Sequence, residues 1–353
     1  MSIDAGFEYV NARLRARKSR LLGPAAIEQL LAAPTIEALI GQLDQDDYHE
    51  ALEESLVSHS GLLAVLRAVQ IEQGIALRRI AHFSGETAAA ALAILLAYTV
   101  RHNIIVLIRG VSVRASPDLI QPLLVALQPF KEGMLNELAR QRTVRGLVNL
   151  LVQWRLPTSD LAQRLLAALA EGAEPQQLVG VFDQAWAETT TAQAAAYPGE
   201  DGELLQLNLA RYLDLHNLLL ALELRDATLE TPVQWLPGGS LPFSALEQLR
   251  LAADTPALES VLAAASDGEF WRPGLAQWDG LRTVALQQAW ERTLLQWRVS
   301  LFHHADPLGI GVLIAFLAAK EAETRNIRLI AEAVAGNLSR KEARRNLPLS
   351  SDL

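Results

Sequence analysis

The chain contains no cysteine in its 353 residues. That excludes disulfides and thiolate zinc sites, and it fits a reducing compartment. Aromatic residues are few, at 6%. Ala and Leu supply most of the apolar mass, and both are strong helix formers. Strand signals are scarce. The β-branched runs are short, "NIIVLI" at 103–108 among them, and each sits in a helical context. A basic excess is missing as well: 31 Lys and Arg face 40 Asp and Glu, for a formal charge of −9. A surface that tracks phosphates needs the opposite balance, so no nucleic-acid partner is expected.

Long apolar runs are also absent. The N-terminal segment carries no apolar h-region, so no secretory signal is expected and the Asn337-Leu338-Ser339 sequon reads as chance. The longest charge-free stretches, 87–100 and 307–319, have 14 and 13 residues. As helices each reaches roughly 20 Å, against a hydrocarbon core of about 30 Å. Both are predicted to be buried helices, with no direct bilayer span.

The familiar catalytic signatures are missing too. There is no G-x-x-x-x-G-K-[ST] loop, no H-E-x-x-H and no G-x-S-x-G. Gly309-Ile310-Gly311 lacks the third glycine and the preceding strand of a dinucleotide turn. Of the seven histidines, His303 and His304 lie beside Asp306. Neighbouring residues on a helix point about 100° apart and no third ligand stands at i+4, so Asp306 is expected to cap the next helix instead. Trp290 and Trp297, seven apart, share a helix face that core packing explains. No catalytic, cofactor-binding or metal-binding residue is assigned, and no cofactor is expected.

What is present is a repeat. "IEQLLAAPTIEALIGQL" (27–43), "LNELARQRTVRGLVNLL" (135–151) and "LEQLRLAADTPALESVL" (246–262) resemble one another. Leu30, Leu138 and Leu249 align, as do Thr35, Thr143 and Thr255 once a one-residue gap is placed before the last. Each reads as a short helix, a break, and a second amphipathic helix. A second element recurs with nearly the same spacing, aligning Asn103, Asn217 and Asn326 at offsets of 114 and 109. Asn is a poor helix-interior residue because its amide competes for backbone hydrogen bonds. Its recurrence predicts the same local job three times, an interhelix or capping hydrogen bond. The reading is all-α, with three homologous helical domains over 1–116, 117–231 and 232–353.

Charge is uneven. Arg13, Arg15, Arg17, Lys18 and Arg20 crowd the N-terminus, acidic residues fill 44–54, and Arg325, Arg328, Arg340, Lys341, Arg344 and Arg345 mark the C-terminal region. Such runs are solvated faces or electrostatic docking surfaces for protein partners. Composition alone describes a large, all-helical cytosolic scaffold or adaptor, and that stands as the alternative reading.

Specific motifs point further. "FEYVNARLRARKSRLL" (7–22) resembles the opening of the C subunit of A/V-type rotary ATPases, called the d subunit in the eukaryotic vacuolar enzyme. "GIGVLIAFLAAKEAETRNIRLIAEAVAGNLS" resembles its C-terminal signature, with Lys320, Glu323, Asn326, Ile327, Ile330, Ala331 and Glu332 in the motif positions. "DLHNL" at 214–218 is similar to the middle-repeat form, with Asp214 and Asn217 in place. In the first repeat Val100 stands where an acid would be expected, so any salt bridge there is lost. The resemblance implies three helical domains in a pseudo-threefold funnel and a non-catalytic central-rotor component that transmits torque for ion transport. It implies two partners, the membrane's proteolipid rotor ring and the central-stalk subunits, and a peripheral position on the cytoplasmic face. Asn103, Asn217 and Asn326 are then structural residues. Tyr9, Asn11 and Arg13 tie the N-terminal helix to the bundle or face a partner, and Arg325 and Arg328 are candidate partner contacts.

Overall fold

A computed structural model describes residues 6–45, 47–225, 233–252, 254–276, 278 and 283–348. The described residues form eighteen α-helices and a short 3-10 turn at Gln121–Leu123, with no strand. The helices are α1 (Glu8–Lys18), α2 (Pro24–Leu31), α3 (Ile36–Leu43), α4 (His49–Leu56), α5 (Gly61–Phe83), α6 (Glu86–Ser112), α7 (Pro117–Ile120), α8 (Glu132–Ala139) and α9 (Val144–Trp154). They continue as α10 (Ser159–Ala170), α11 (Pro175–Ala195), α12 (Gly199–Glu223), α13 (Phe243–Leu251), α14 (Thr255–Ala264), α15 (Gly268–Leu275), α16 (Thr283–His304), α17 (Gly311–Ala335) and α18 (Arg340–Asn346). The all-α expectation holds.

The first repeated element is a pair of short helices, as its pattern predicts: α2 with α3, α8 with α9, and α13 with α14. Leu30, Leu138 and Leu249 sit on the first helix of each pair, each 3% exposed or less. The break comes from the N-cap of the second helix. Thr35 Oγ1 accepts the Ala38 N–H at 3.2 Å and Thr143 Oγ1 accepts the Gly146 N–H at 3.1 Å. In the third pair the cap is Asp254, whose Oδ1 accepts the Ala257 N–H at 2.9 Å. Thr255 is the first residue inside α14. The gap placed before Thr255 is therefore unnecessary. Each cap lies five residues after its leucine, because Asp caps as well as Thr.

The chain divides into two compact units, Met1–Trp186 with Ala319–Leu353, and Ala187–Ala318. The core of the first unit gathers Leu30, Leu39, Leu43, Tyr48, Leu52, Val65 and Val69 with Ile327, Ile330 and Leu347. That of the second unit is rich in tryptophan: Trp235, Trp271, Trp278 and Trp290 pack with Leu246, Leu249, Leu262 and Leu294. Trp290 Nε1 donates to the Trp271 carbonyl at 2.9 Å, so its polar edge is satisfied inside the core. The 116/117 domain boundary read from the sequence falls between α6 and α7. The 231/232 boundary lies outside the described residues.

Two expectations require correction. The charge-free run 87–100 is too short to span, but the helix containing it does not stop at Arg101. It runs 27 residues, and its Ala88–Ser112 portion is long and apolar enough to cross a membrane by length and composition, with mean hydropathy 1.9. Half of that window is packed inside the protein. Arg101, in mid-helix, is held by Asp183, which fits a core helix. The second correction concerns Asp306. Its Oδ1 accepts the Leu308 N–H at 2.9 Å, closing a turn two residues on, while α17 begins only at Gly311. The amide before α17, Ile310 N–H, donates to Asp201 Oδ1 at 2.7 Å instead. By contrast, the apolar half of α17 is buried as predicted: Val312, Leu313, Ile314 and Ala315 are all 0% exposed.

Candidate functional site: the asparagine straps

Asn103 and Asn217 do the same job. Asn103 Nδ2 donates to the Val125 carbonyl at 2.8 Å, and its Oδ1 accepts the Val125 N–H at 3.0 Å. Asn217 repeats this on Leu236, with both bonds at 2.9 Å. In each case a long helix uses one buried amide to hold both polar groups of a single residue in the extended segment that follows it. Such a segment has no ladder of its own, and its backbone would otherwise be buried unpaired. We call these segments straps. The recurring asparagine is therefore a backbone clamp, reaching 22 and 19 residues along the chain. Asn326 is likewise 0% exposed, on α17.

The acid one turn before the asparagine reinforces the strap. Asp214 Oδ2 accepts the Ser240 N–H at 2.9 Å and Oδ1 accepts the Leu241 N–H at 3.0 Å. Gly239 lies so close that a Cβ there would sit 2.2 Å from Asp214 Oδ1, so this approach requires glycine. Burial pushes the Asp214 carboxyl up to about 7, although the Leu241 and Ser240 amides pull it down. The first repeat has Val100 here, and its strap is held by other groups. His102 Nε2 bonds the Leu123 carbonyl at 2.9 Å, and Arg78 Nη1 donates to the Ala126 carbonyl at 2.7 Å. Burial, the first cause, moves the His102 imidazole below its ordinary pKa, and Arg328 and Arg101 add to the shift.

On α17 the equivalent acid is Glu323, and its partners are remote in sequence. Oε2 accepts the Leu22 N–H at 2.6 Å, and Oε1 accepts the Tyr48 hydroxyl at 2.7 Å and Lys320 Nζ at 2.6 Å. Lys320 Nζ also donates to Tyr48 Oη at 3.3 Å and lies 3.7 Å from Glu72. All four side chains are buried. Burial raises the Tyr48 hydroxyl well above its ordinary value, with the Glu323 charge adding to it. Burial also raises Glu72, with Lys320 opposing. Lys320 and Glu323 are motif positions in the sequence. Tyr48 and Glu72 are not, although Glu72, on the mostly apolar "LLAVLRAVQIEQG" stretch that also carries Arg67, is a usable signal, since a charge inside a buried helix must find a partner.

The remaining predicted residues are not brought into this cluster. α1 buries Val10, Asn11 and Leu14 on one helix face, together with its N-cap Phe7. Asn11 therefore points inward, while Tyr9 is 50% exposed and stacks under the Arg13 guanidinium at 4.8 Å. Arg325 and Arg328 are half-buried on α17. Burial lowers the Arg328 guanidinium, Glu332 opposes this and Arg325 reinforces it. Sequence reading also misses Arg211. It forms a bidentate pair with Asp267 at 2.7 and 2.8 Å, and lies 3.7 Å from the Phe270 ring centroid and 4.4 Å from that of Trp297. Arg101 forms a similar bidentate pair with Asp183, both bonds at 2.7 Å. Such planar forks suit Arg and not Lys. These buried polar groups bind one another and the backbone. Among the described residues no group of three or more His, Asp or Glu side chains could hold a metal ion.

A sequence model of the family described as ATP synthase (C/AC39) subunit matches residues 10–346. The C subunit of the A-type ATP synthase of Methanocaldococcus jannaschii is 24% identical over 353 residues, covering 98% of this chain and 87% of that protein. The C subunit of the V-type ATP synthase of Deinococcus radiodurans is 24% identical, covering 97% and 91%. The C subunit of the A-type ATP synthase of Halobacterium salinarum is 25% identical, covering 97% of each.

Proposed function

Because the chain belongs to the ATP synthase (C/AC39) subunit family, we propose that it is the torque-coupling subunit of an A/V-type rotary ATPase. It is a non-catalytic subunit, and ATP chemistry resides elsewhere in the complex. The observation that carries the reading is the family match over residues 10–346, which takes in the 306–337 motif and all but the first three residues of the 7–22 motif. An adaptor unconnected with ATPases is set aside on the same ground.

In this reading the protein sits on the cytoplasmic face of the membrane as a peripheral component. It joins the central stalk to the proteolipid rotor ring and passes torque between them for ion transport. Its three homologous helical domains are arranged as a pseudo-threefold funnel. Support comes from the recurrence of one local plan: a capped pair of short helices, a long helix, and a buried side chain on that helix that holds an extended strap. A coupler under load must be stiff, and backbone-clamping side chains inside a close-packed core supply stiffness. Arg325 and Arg328 are partner contacts, because two cations persist half-buried on a helix that is otherwise largely core. Tyr9 and Arg13, on the exposed face of α1, are a second contact.

Co-purification from detergent-solubilised membranes tests this. The tagged full chain is expected to retain both ring and stalk subunits, and recovery of neither refutes the coupler. The double reversal Arg325→Glu with Arg328→Glu is expected to weaken retention of one partner while leaving the circular dichroism of the free chain unchanged. Equal retention of both partners would remove the two arginines from the interface.

A further inference from the structure

The straps are used in an order that the family assignment does not explain. α6 holds Leu123 and Val125, which lead into α8, and α12 holds Leu236, Ser240 and Leu241, which lead into α13. Each long helix thus clamps the segment that comes next, within 19 to 27 residues. Among the described residues α17 is followed by the single short helix α18. Glu323 of α17 instead takes the N–H of Leu22, 301 residues earlier, and Leu22 leads into α2 as Leu241 leads into α13. The same acid position meets the same kind of backbone group, the amide of the leucine just before the N-cap of a short helix: Leu22 before Gly23 in one case, Leu241 before Pro242 in the other.

We infer that the short non-helical stretch between α1 and α2, held at Leu22, is the strap of the third long helix, and that Lys320, Glu323, Tyr48 and Glu72 form the clasp that fastens it together with α1, at the place where this unit opens first. Three observations carry this. The link is closed across 301 residues, whereas the other two are closed across about 20, and a longer loop costs more entropy to close. Among the described residues only this strap has a buried lysine and tyrosine bonded to its acid, with a second carboxylate, Glu72, facing the lysine, and these charge-assisted bonds offset the missing short tether. Apart from the clasp, α1 rests on few buried side chains, Phe7, Val10, Asn11 and Leu14, while its other face carries exposed arginines. An element with so little buried apolar surface opens at low cost. Consistent with this pairing, the first compact unit joins the N-terminal part of the chain to Ala319–Leu353.

The inference concerns the free chain and stands apart from its partners in the complex. Hydrogen–deuterium exchange on the full-length protein tests it. In the unmodified chain the amides of residues 8–22 are expected to exchange together, sooner than those of Val125 and Leu236. Tyr48→Phe removes one charge-assisted hydrogen bond and should speed exchange across 8–22 by about tenfold or more. Glu323→Gln should speed it further, and both variants should leave the Val125 and Leu236 amides unchanged. If Glu323→Gln fails to fold, Tyr48→Phe alone decides. Exchange at 8–22 that is unaltered by Tyr48→Phe overturns the clasp. So does a rise spread evenly over Val125 and the rest of the first unit, which would make the cluster ordinary core.

Discussion

Truncating a clamp asparagine should cost far more than its exposed surface suggests. Asn217→Ala removes two hydrogen bonds of 2.9 Å and leaves both the N–H and the C=O of Leu236 without their partner. Leu236 is 4% exposed, so water does not readily replace the amide. Each buried backbone group left unpaired costs ~1–3 kcal/mol, which gives roughly 2–6 kcal/mol for the pair. Asn103→Ala repeats the experiment on Val125, which is 2% exposed. Here His102 and Arg78 still hold the neighbouring carbonyls of Leu123 and Ala126, so the loss should fall at the lower end of that range. Urea unfolding followed by far-ultraviolet circular dichroism reads both losses. Tryptophan fluorescence reads Asn217→Ala separately, because Trp235 adjoins the clamped residue. If Asn217→Ala lies within about 0.5 kcal/mol of the parent, and the Leu236 amide keeps its protection from exchange, the clamp argument is wrong.

Two further outcomes follow. Asp214 has a folded-state value of about 7 against an ordinary 3.8, so between these values the folded protein binds the proton more tightly than the unfolded chain. The contribution of this group to stability is greatest below the lower value, falls as pH rises toward the upper one and is flat beyond it. Asp214→Asn should abolish that part of the pH slope, and urea midpoints at about pH 5 and about pH 8 that shift equally in both proteins would refute it. For the third helix pair, Asp254→Ala should cost ~1 kcal/mol while Asp254→Thr, restoring the residue type found at the other two caps, should cost under about half of that. Equal losses in thermal denaturation would show that the cap bond seen at Ala257 is not what starts α14.

Much of the fold was legible in one dimension because its signals are local. Helix type follows from Ala and Leu content and from apolar spacing within two turns, and the paired short helices announce themselves through their leucines and through Thr35 and Thr143, although the third cap reads as Thr255 in the sequence and is Asp254 in the fold. The asparagines were legible as anomalies, since an amide inside an apolar helix requires a partner. Their partners were not legible. Val125 and Leu236 are ordinary apolar residues, and it is their backbone that is held, which carries no residue-type signature. The length of α6 was misjudged for a related reason: Arg101 reads as a terminator of an apolar run until Asp183, 82 residues away, neutralises it inside the fold. The family motif singled out Lys320 and Glu323 but left their purpose open. Sequence by itself determined the helices, the repeat and the residues that must find polar partners. Tertiary structure alone decided which partners those are, because a hydrogen bond across 19 or 301 residues depends on the path of the whole chain, and no local pattern encodes that path.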